Sequence, residues 1–116
     1  MRGLQAAELL RRPVLLRGIR LGRIDDVIFD PDGARVVGFD VLCGDEQHRF
    51  LPFPSATLVG ERLEVRSPLM LLDTAELDFY RLHGRSLSED GLRDAIVGSD
   101  GLVASGDVVG DGVGRC

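Results

Sequence analysis

The strongest constraint on the fold of this chain is a turn between two apolar segments in residues 20–43. The sequence there is RLGRIDDVIFDPDGARVVGFDVLC, and Asp30-Pro31-Asp32-Gly33 separates its two halves. Proline fixes φ near the value that the second position of a tight turn needs, and glycine supplies the positive φ of a closing residue. The segment therefore predicts a β-hairpin, with a mainly β protein built around it.

The alternation of residues predicts how this hairpin packs. One parity of the second strand is apolar and consists of Val37, Phe39, Val41 and Cys43. Period-two alternation is typical of a strand with one buried face, so Cys43 is expected to be a small buried hydrophobe. The first strand has no such clean face. A β-bulge near Asp25-Asp26 would restore its register and bend the strand, as a small barrel requires.

The remaining sequence predicts further short strands and one helix. Apolar segments at residues 14–16, 48–52, 57–59 and 62–65 are separated by turn residues. Together with the hairpin they make about six short strands, which indicates a small barrel or sandwich. Asp73 and Glu76 have the spacing of a capping box for a short helix that ends at His83-Gly84.

The last third of the chain returns to a strand-like pattern. Residues 92–97 and 102–109 flank a turn at 98–101 and weakly repeat the first hairpin at an offset of 94 − 26 = 68 residues. We therefore divide the chain into three parts: a barrel-like domain over residues 1–66, a helical connector over 67–84, and a partial second β segment with a glycine-rich tail over 85–116.

Charge is distributed unevenly along the chain. The net charge is −5, but residues 1–23 hold six Arg against one Glu (6 − 1 = +5), while residues 24–116 hold eight Arg against eighteen acids (8 − 18 = −10). The five arginines of interest are Arg11, Arg12, Arg17, Arg20 and Arg23. They have two interpretations: a solvated rim that pairs with the acidic remainder, or a docking patch for an acidic protein and, more weakly, for RNA.

Residue types that support chemistry do not assemble into a recognisable pattern. Calcium binding by Asp25, Asp26, Asp30 and Asp32 is disfavoured because their spacing lacks the regular ligands of an EF-hand. His48, His83 and Cys43 do not recur at ligand spacing, so the histidines are expected to be surface or capping residues. No Gly-x-Ser-x-Gly sequence is present. We therefore predict no catalytic residue, no cofactor and no metal.

Several short motifs resemble those of the PRC-barrel family. These are GIRLGRIDDVIFD at residues 18–30, VVGF at 36–39, FLP at 50–52 and LVG at 58–60. The family consists of small β-barrels found in the photosynthetic reaction centre H subunit, in the C-terminal domain of a ribosome-maturation factor and in free-standing bacterial proteins. The resemblance covers roughly residues 4–65. It implies a PRC-type barrel fold and supports architecture far better than activity.

The resemblance implies that certain residues of this chain shape the fold, because they match positions of the family's motifs. Gly22 and Gly38 match close-packing or bulge glycines, Asp26 matches a strand aspartate, and Pro52 matches the proline that ends the fourth strand. The residues that define the predicted fold are therefore Gly22, Asp26, Gly33, Gly38 and Pro52.

These observations lead to a primary functional hypothesis and one alternative. The primary hypothesis is a non-enzymatic, bacterial PRC-barrel protein that binds a protein partner or a second copy of itself, as a binding or assembly module. The alternative is an RNA- or ribosome-associated maturation factor. We expect a cytoplasmic protein, with no membrane insertion and no small-molecule substrate evident from the sequence.

Overall fold

A computed structural model describes residues 4–87, 92, 95–98 and 100–104 of the chain. This part is mainly β with one α-helix, which confirms the predicted fold class. The strands up to the helix are β1 (Leu4–Gln5), β2 (Pro13–Leu16), β3 (Ile19–Phe29), β4 (Val36–Cys43), β5 (His48–Pro52), β6 (Thr57–Val59) and β7 (Arg62–Val65). Helix α1 (Thr74–His83) is followed by β8 (Arg85–Ser86), β9 (Ile96–Val97) and β10 (Val103–Ala104). Three short 3₁₀ segments lie at Ala6–Leu9, Phe53–Ser55 and Pro68–Met70.

The predicted hairpin is confirmed as β3 and β4, which pair antiparallel from Gly22 opposite Cys43 to Phe29 opposite Val36. Its turn is closed by Gly33, whose φ is +69° and whose amide donates to the carbonyl of Asp30 at 2.9 Å. The Asp30 carboxylate also accepts a hydrogen bond from an amide of the turn. The local sequence therefore forms the expected turn.

The predicted bulge is also present in β3. Ile24 pairs with Val41 and Asp26 pairs with Asp40, so Asp25 is an extra residue without a partner on β4. The bulge allows Ile24 and Val27 to face the same core although their numbers differ in parity.

A second register shift makes one part of the alternation prediction wrong. Phe29 pairs with Val36 while Ile28 pairs with Gly38, so Val37 is the extra residue. Phe39 and Val41 lie in the main core as predicted. Val37 instead packs beside Ile28 on the opposite face of the sheet.

The main sheet has the strand order β5-β4-β3-β2-β7-β6, and β2 and β7 pair in parallel. In the described part, its terminal strands β5 and β6 do not pair, so the sheet is open. The outer edge of β5 is covered by the segment that precedes α1, because Phe50 and Leu72 exchange backbone hydrogen bonds of 3.0 and 2.8 Å. Strand β6 has only β7 as a neighbour there.

Helix α1 lies across the outer face of the sheet, opposite the main core. The Asp73 side chain accepts a hydrogen bond from the amide of Glu76, as the capping box predicts. Leu77 packs against Ile28 and Phe50, and the ring of Tyr80 stacks on Phe50 with 4.3 Å between centroids. No helix in the described part of the chain combines the length and apolar character needed to span a membrane.

Gly84 ends the helix as predicted. Its φ is −133°, so it does not have the left-handed conformation that a glycine after a helix commonly adopts. A Cβ at this position would lie 2.9 Å from the carbonyl oxygen of Tyr80 and closer still to that of Phe29. Glycine is therefore needed because the chain passes close to β3 after leaving the helix.

The described residues after the helix pack onto the first part of the chain. Strands β1, β9 and β10 form a second sheet, and Leu87 and Val97 belong to the main core. The amide of Val36 donates to Gly101 at 2.8 Å, which joins this segment to the tip of the first hairpin. Within the predicted strands at 92–97 and 102–109, the structure shows strand at Ile96–Val97 and Val103–Ala104, while residues 93, 94 and 105–109 and the glycine-rich tail lie outside the described residues. The division of the chain into three parts stays a prediction.

Candidate functional site

The predicted docking arginines lie around the β2–β3 hairpin. Arg11 and Arg12 precede β2, Arg17 occupies the hairpin turn, and Arg20 and Arg23 lie on β3. Arg12 is half-buried and the other four are exposed. Arg12 donates to the carbonyl of Glu8 at 2.7 Å and to that of Gly60 at 3.2 Å. Arg12 therefore ties the N-terminal segment to the β6–β7 turn.

A bulge places two of the arginines on one face. Val14 pairs with Gly22 and Leu15 pairs with Arg20, so Leu21 is the extra residue in this part of β3. Directly paired residues point to the same side of a sheet. Since Val14 faces the core, Leu15 and its partner Arg20 face outwards, as does Arg23 opposite Pro13.

The four exposed arginines, Arg11, Arg17, Arg20 and Arg23, are here called the arginine surface. No carboxylate of the described residues lies within the 4.0 Å ion-pair distance of these four side chains. Elsewhere, Arg49 pairs with Asp45 at 2.8 Å and Arg62 pairs with Glu64 at 2.9 Å. The interpretation as a salt-bridged rim therefore finds no support in the described contacts of these four residues.

Two members of the arginine surface have a left-handed backbone. The φ angles of Arg11 and Arg17 are +70° and +51°. This conformation costs a non-glycine residue roughly 1–2 kcal/mol, and asparagine or glycine is favoured there. Strain of this kind is often retained where a side chain is used.

A shallow groove of about 640 Å³ lies beside Arg20 and Arg23, between the start of β3 and the end of β4. Leu21, Leu42 and Cys43 supply its apolar lining, and Glu46 supplies a negative charge. Gly22 and Gly44 also line it without contributing side chains. We call this feature the β3–β4 groove.

A buried polar cluster that the sequence did not predict lies beneath helix α1. Asp26 and Asp40 are paired residues on β3 and β4, with exposed fractions of 3% and 0%. Nη2 of Arg81 reaches from the helix to Oδ2 of Asp40 at 2.6 Å and to Oδ2 of Asp26 at 3.4 Å. Nδ1 of His48 lies 2.8 Å from Oδ1 of Asp40. We call these four residues the Asp–His–Arg cluster.

The electrostatics of this cluster explain its composition. Burial raises the pKa of Asp40 above its ordinary value, while the hydrogen bond from His48 and the charge of Arg81 act in the opposite direction. Like charges directly opposite each other on paired strands are destabilising. Arg81 offsets that repulsion, since its guanidinium contacts both carboxylates.

The burial of Asp40 was not predicted, because strand alternation places its side chain on the face away from the core, where solvent is expected. No local signal in the sequence indicates the pairing of Asp26 with Asp40, because it depends on the extra residue Val37 in β4. Arg81 lies four residues after Leu77, on the face by which α1 packs against the sheet.

Among the described residues, Asp25, Asp40 and His48 form the group whose ligand atoms lie close enough to hold a metal ion, within 4.8 Å of one another. Arg81 competes for such a site, because it already contacts Asp40. The four aspartates considered for calcium are not assembled, since Asp30 uses its carboxylate in the hairpin turn. His83 accompanies the helix end instead, with Nδ1 2.9 Å from the carbonyl oxygen of Phe79.

The glycines and the proline marked by the resemblance occupy tightly packed or terminal positions. A Cβ on Gly22 would lie 2.9 Å from the Cα of Cys43. A Cβ on Gly38 would lie 2.6 Å from both the carbonyl oxygen of Leu51 and the ring of Phe50. Pro52 ends β5 and begins the 3₁₀ turn that follows.

The fold and its sites define a small, mainly β domain whose sheet is covered by one helix. A family model described as PRC-barrel domain matches residues 1–70, which is more than half of the chain. The chain therefore belongs to the PRC-barrel family, as the sequence motifs indicated. A search of curated proteins gives no significant match.

Proposed function

We propose that this PRC-barrel protein is a non-enzymatic binding module that docks an acidic protein partner on its arginine surface. The observation that carries the proposal is the grouping of Arg11, Arg17, Arg20 and Arg23. All four are exposed, and none has a carboxylate within 4.0 Å in the described part of the chain. Such a surface attracts acidic partners and accelerates their association.

The backbone of the arginine surface supports the same proposal. Arg11 and Arg17 keep a long cationic side chain at a positive φ, where a smaller residue would be more stable. Backbone strain that is retained at a binding site is consistent with a side chain that is kept for binding at the expense of folding stability. The Arg17 side chain projects from a two-residue turn, because Leu16 and Ile19 are directly paired. It is therefore accessible to a partner.

The charge of the remaining chain favours a protein over RNA. Outside residues 1–23 the balance is −10, which repels a polyanion that extends beyond the arginine surface. A folded acidic partner can restrict its contact to the four arginines. An acidic protein is therefore the favoured partner, and the test described next distinguishes it from RNA.

The test uses site-specific photo-cross-linking in the cells that produce the protein. A photoreactive amino acid replaces Arg17 in the full chain, and a matched control places it at Arg85, an exposed arginine opposite Phe29 at the far end of β3. We expect an acidic protein to be cross-linked from position 17 but not from position 85. Adding Arg20→Glu and Arg23→Glu should abolish the product.

Other products of the cross-linking identify other functions. A species of twice the chain mass, together with a dimer in light scattering, would assign the surface to a second copy of the chain. Cross-links to RNA that weaken steeply with salt would support the alternative of an RNA-associated factor. A product that survives charge reversal at Arg20 and Arg23, or the absence of any product, would contradict docking on the arginine surface.

A further inference from the structure

The geometry points to a specific ligand for the β3–β4 groove: an extended peptide segment with an apolar side chain between acidic residues. This inference rests on the proposed function and identifies the part of the acidic partner that is recognised. Such a ligand needs a concave site that offers apolar contacts as well as positive charge. The shape and the lining of the groove provide both.

The lining of the groove combines charge with an apolar floor. Arg20 and Arg23 lie on the same outward face of β3 and border the groove together. Leu21 and Leu42 lie beside them, each only partly buried. The volume of about 640 Å³ falls in the range of ordinary ligand sites, about 300–1,000 Å³. Charged contacts would orient a ligand, while apolar contacts would select a side chain.

The glycines of the groove keep it accessible. Gly44 has open space where a side chain would lie, and the backbone at Gly22 approaches β4 too closely for a Cβ. Neither glycine places a side chain in the groove. An extended segment fits such a shallow channel better than a globular surface does.

The same lining disfavours a nucleic acid. Proteins that hold single strands without sequence preference stack bases on aromatic side chains, and no aromatic side chain is among the described residues that line the groove. Glu46 also lines the groove and would repel any anionic group placed beside it, so it does not distinguish a phosphate from an acidic side chain. The absence of aromatic side chains from the described lining residues and charge complementarity with Arg20 and Arg23 together favour acidic side chains spaced around an apolar one.

The test measures fluorescence anisotropy of two labelled peptides with the full chain. One peptide has a leucine between two pairs of aspartates, and the other has serine in place of the leucine. Burial of the leucine should make the first peptide bind about tenfold more tightly. Leu42→Ser should remove most of that difference, and Arg23→Glu should weaken both peptides. Arg85→Glu, with the same charge change at the far end of β3, should leave both affinities nearly unchanged, and Glu46→Gln should strengthen them.

The outcomes separate this inference from the proposed function. Equal binding of the leucine and serine peptides, both weakened by Arg23→Glu, would overturn apolar recognition in the groove and leave the arginine surface as a docking site. Binding of neither peptide would also overturn the groove inference, while cross-linking from position 17 would still decide the proposed function. Leucine selectivity that survives Leu42→Ser would place the apolar contact elsewhere and refute the groove.

Discussion

Replacement of Arg81 by methionine tests whether the Asp–His–Arg cluster stabilises the docking of α1. The substitution keeps a flexible apolar stem but removes the guanidinium that contacts Asp40 and Asp26. Removing one partner of a buried ion pair typically costs about 3–5 kcal/mol, because a buried charge is left uncompensated. Two features of the structure reduce that figure here.

The first feature is solvent, because the Arg81 side chain is 35% exposed and its interaction is partly screened. The second is His48, which still contacts Asp40 after the substitution. We therefore expect Arg81→Met to lower the free energy of unfolding by about 2–3 kcal/mol. With a urea m-value of about 1–3 kcal/mol/M for a small protein, the midpoint should fall by roughly 0.7–3 M.

Far-UV circular dichroism in urea at neutral pH measures this change, since the chain has no Trp and a single Tyr. Arg62→Met is the matched control, because it breaks an exposed pair with Glu64 and should cost less than about 1 kcal/mol. A double-mutant cycle with Asp40→Asn should show coupling of at least about 1 kcal/mol. The reasoning is refuted if Arg81→Met costs no more than Arg62→Met, or if the two cluster substitutions are additive.

Three further predictions concern individual positions. Gly38→Ala should cost about 1–3 kcal/mol because its Cβ would collide with Phe50, whereas Gly44→Ala should be close to neutral; both are measured by urea unfolding, and equal costs would contradict close packing at Gly38. Arg17→Asn should raise the free energy of unfolding by about 1 kcal/mol, since asparagine tolerates the φ of +51°, and thermal unfolding that shows no gain would rule out strain there. Because burial raises the pKa of Asp40, its contribution to stability is complete below pH 3.8 and is lost as pH rises through its folded-state pKa. Asp40→Asn should abolish that part of the pH dependence in unfolding measured at successive pH values, and an unchanged profile would contradict the effect of burial.

Local signals predicted the hairpin, its turn, the bulge at Asp25 and the capped helix. Each depends on residues that are neighbours in sequence: Asp30 and Gly33 in the turn, or Asp73 and Glu76 at the helix start. Turn and capping chemistry acts over three to five residues, so it can be read without knowledge of the tertiary fold. The family motifs then added the architecture.

Features that depend on long-range contacts were not predicted. The parallel pairing of β2 with β7 joins segments about fifty residues apart, and no local pattern specifies it. Val37 was assigned to the wrong face because it is the extra residue of a register shift and so does not follow the alternation of Phe39 and Val41. The Asp–His–Arg cluster was missed because strand alternation indicates only that Asp40 faces away from the core. Whether that face meets water or a helix is decided by residues forty positions later.

Arginines on the outer face of the sheet have two different surroundings. Arg81 contacts two buried carboxylates from α1, whereas Arg20 and Arg23 face outwards without such partners in the described part. A guanidinium that is already paired offers little to a ligand, because binding would first have to break the existing contacts. An unpaired exposed guanidinium loses only its hydration. Since α1 already covers the outer face of β4 and β5, the β2–β3 end is the better candidate for a partner, and charge reversal there should reduce binding without the loss of stability expected for Arg81→Met.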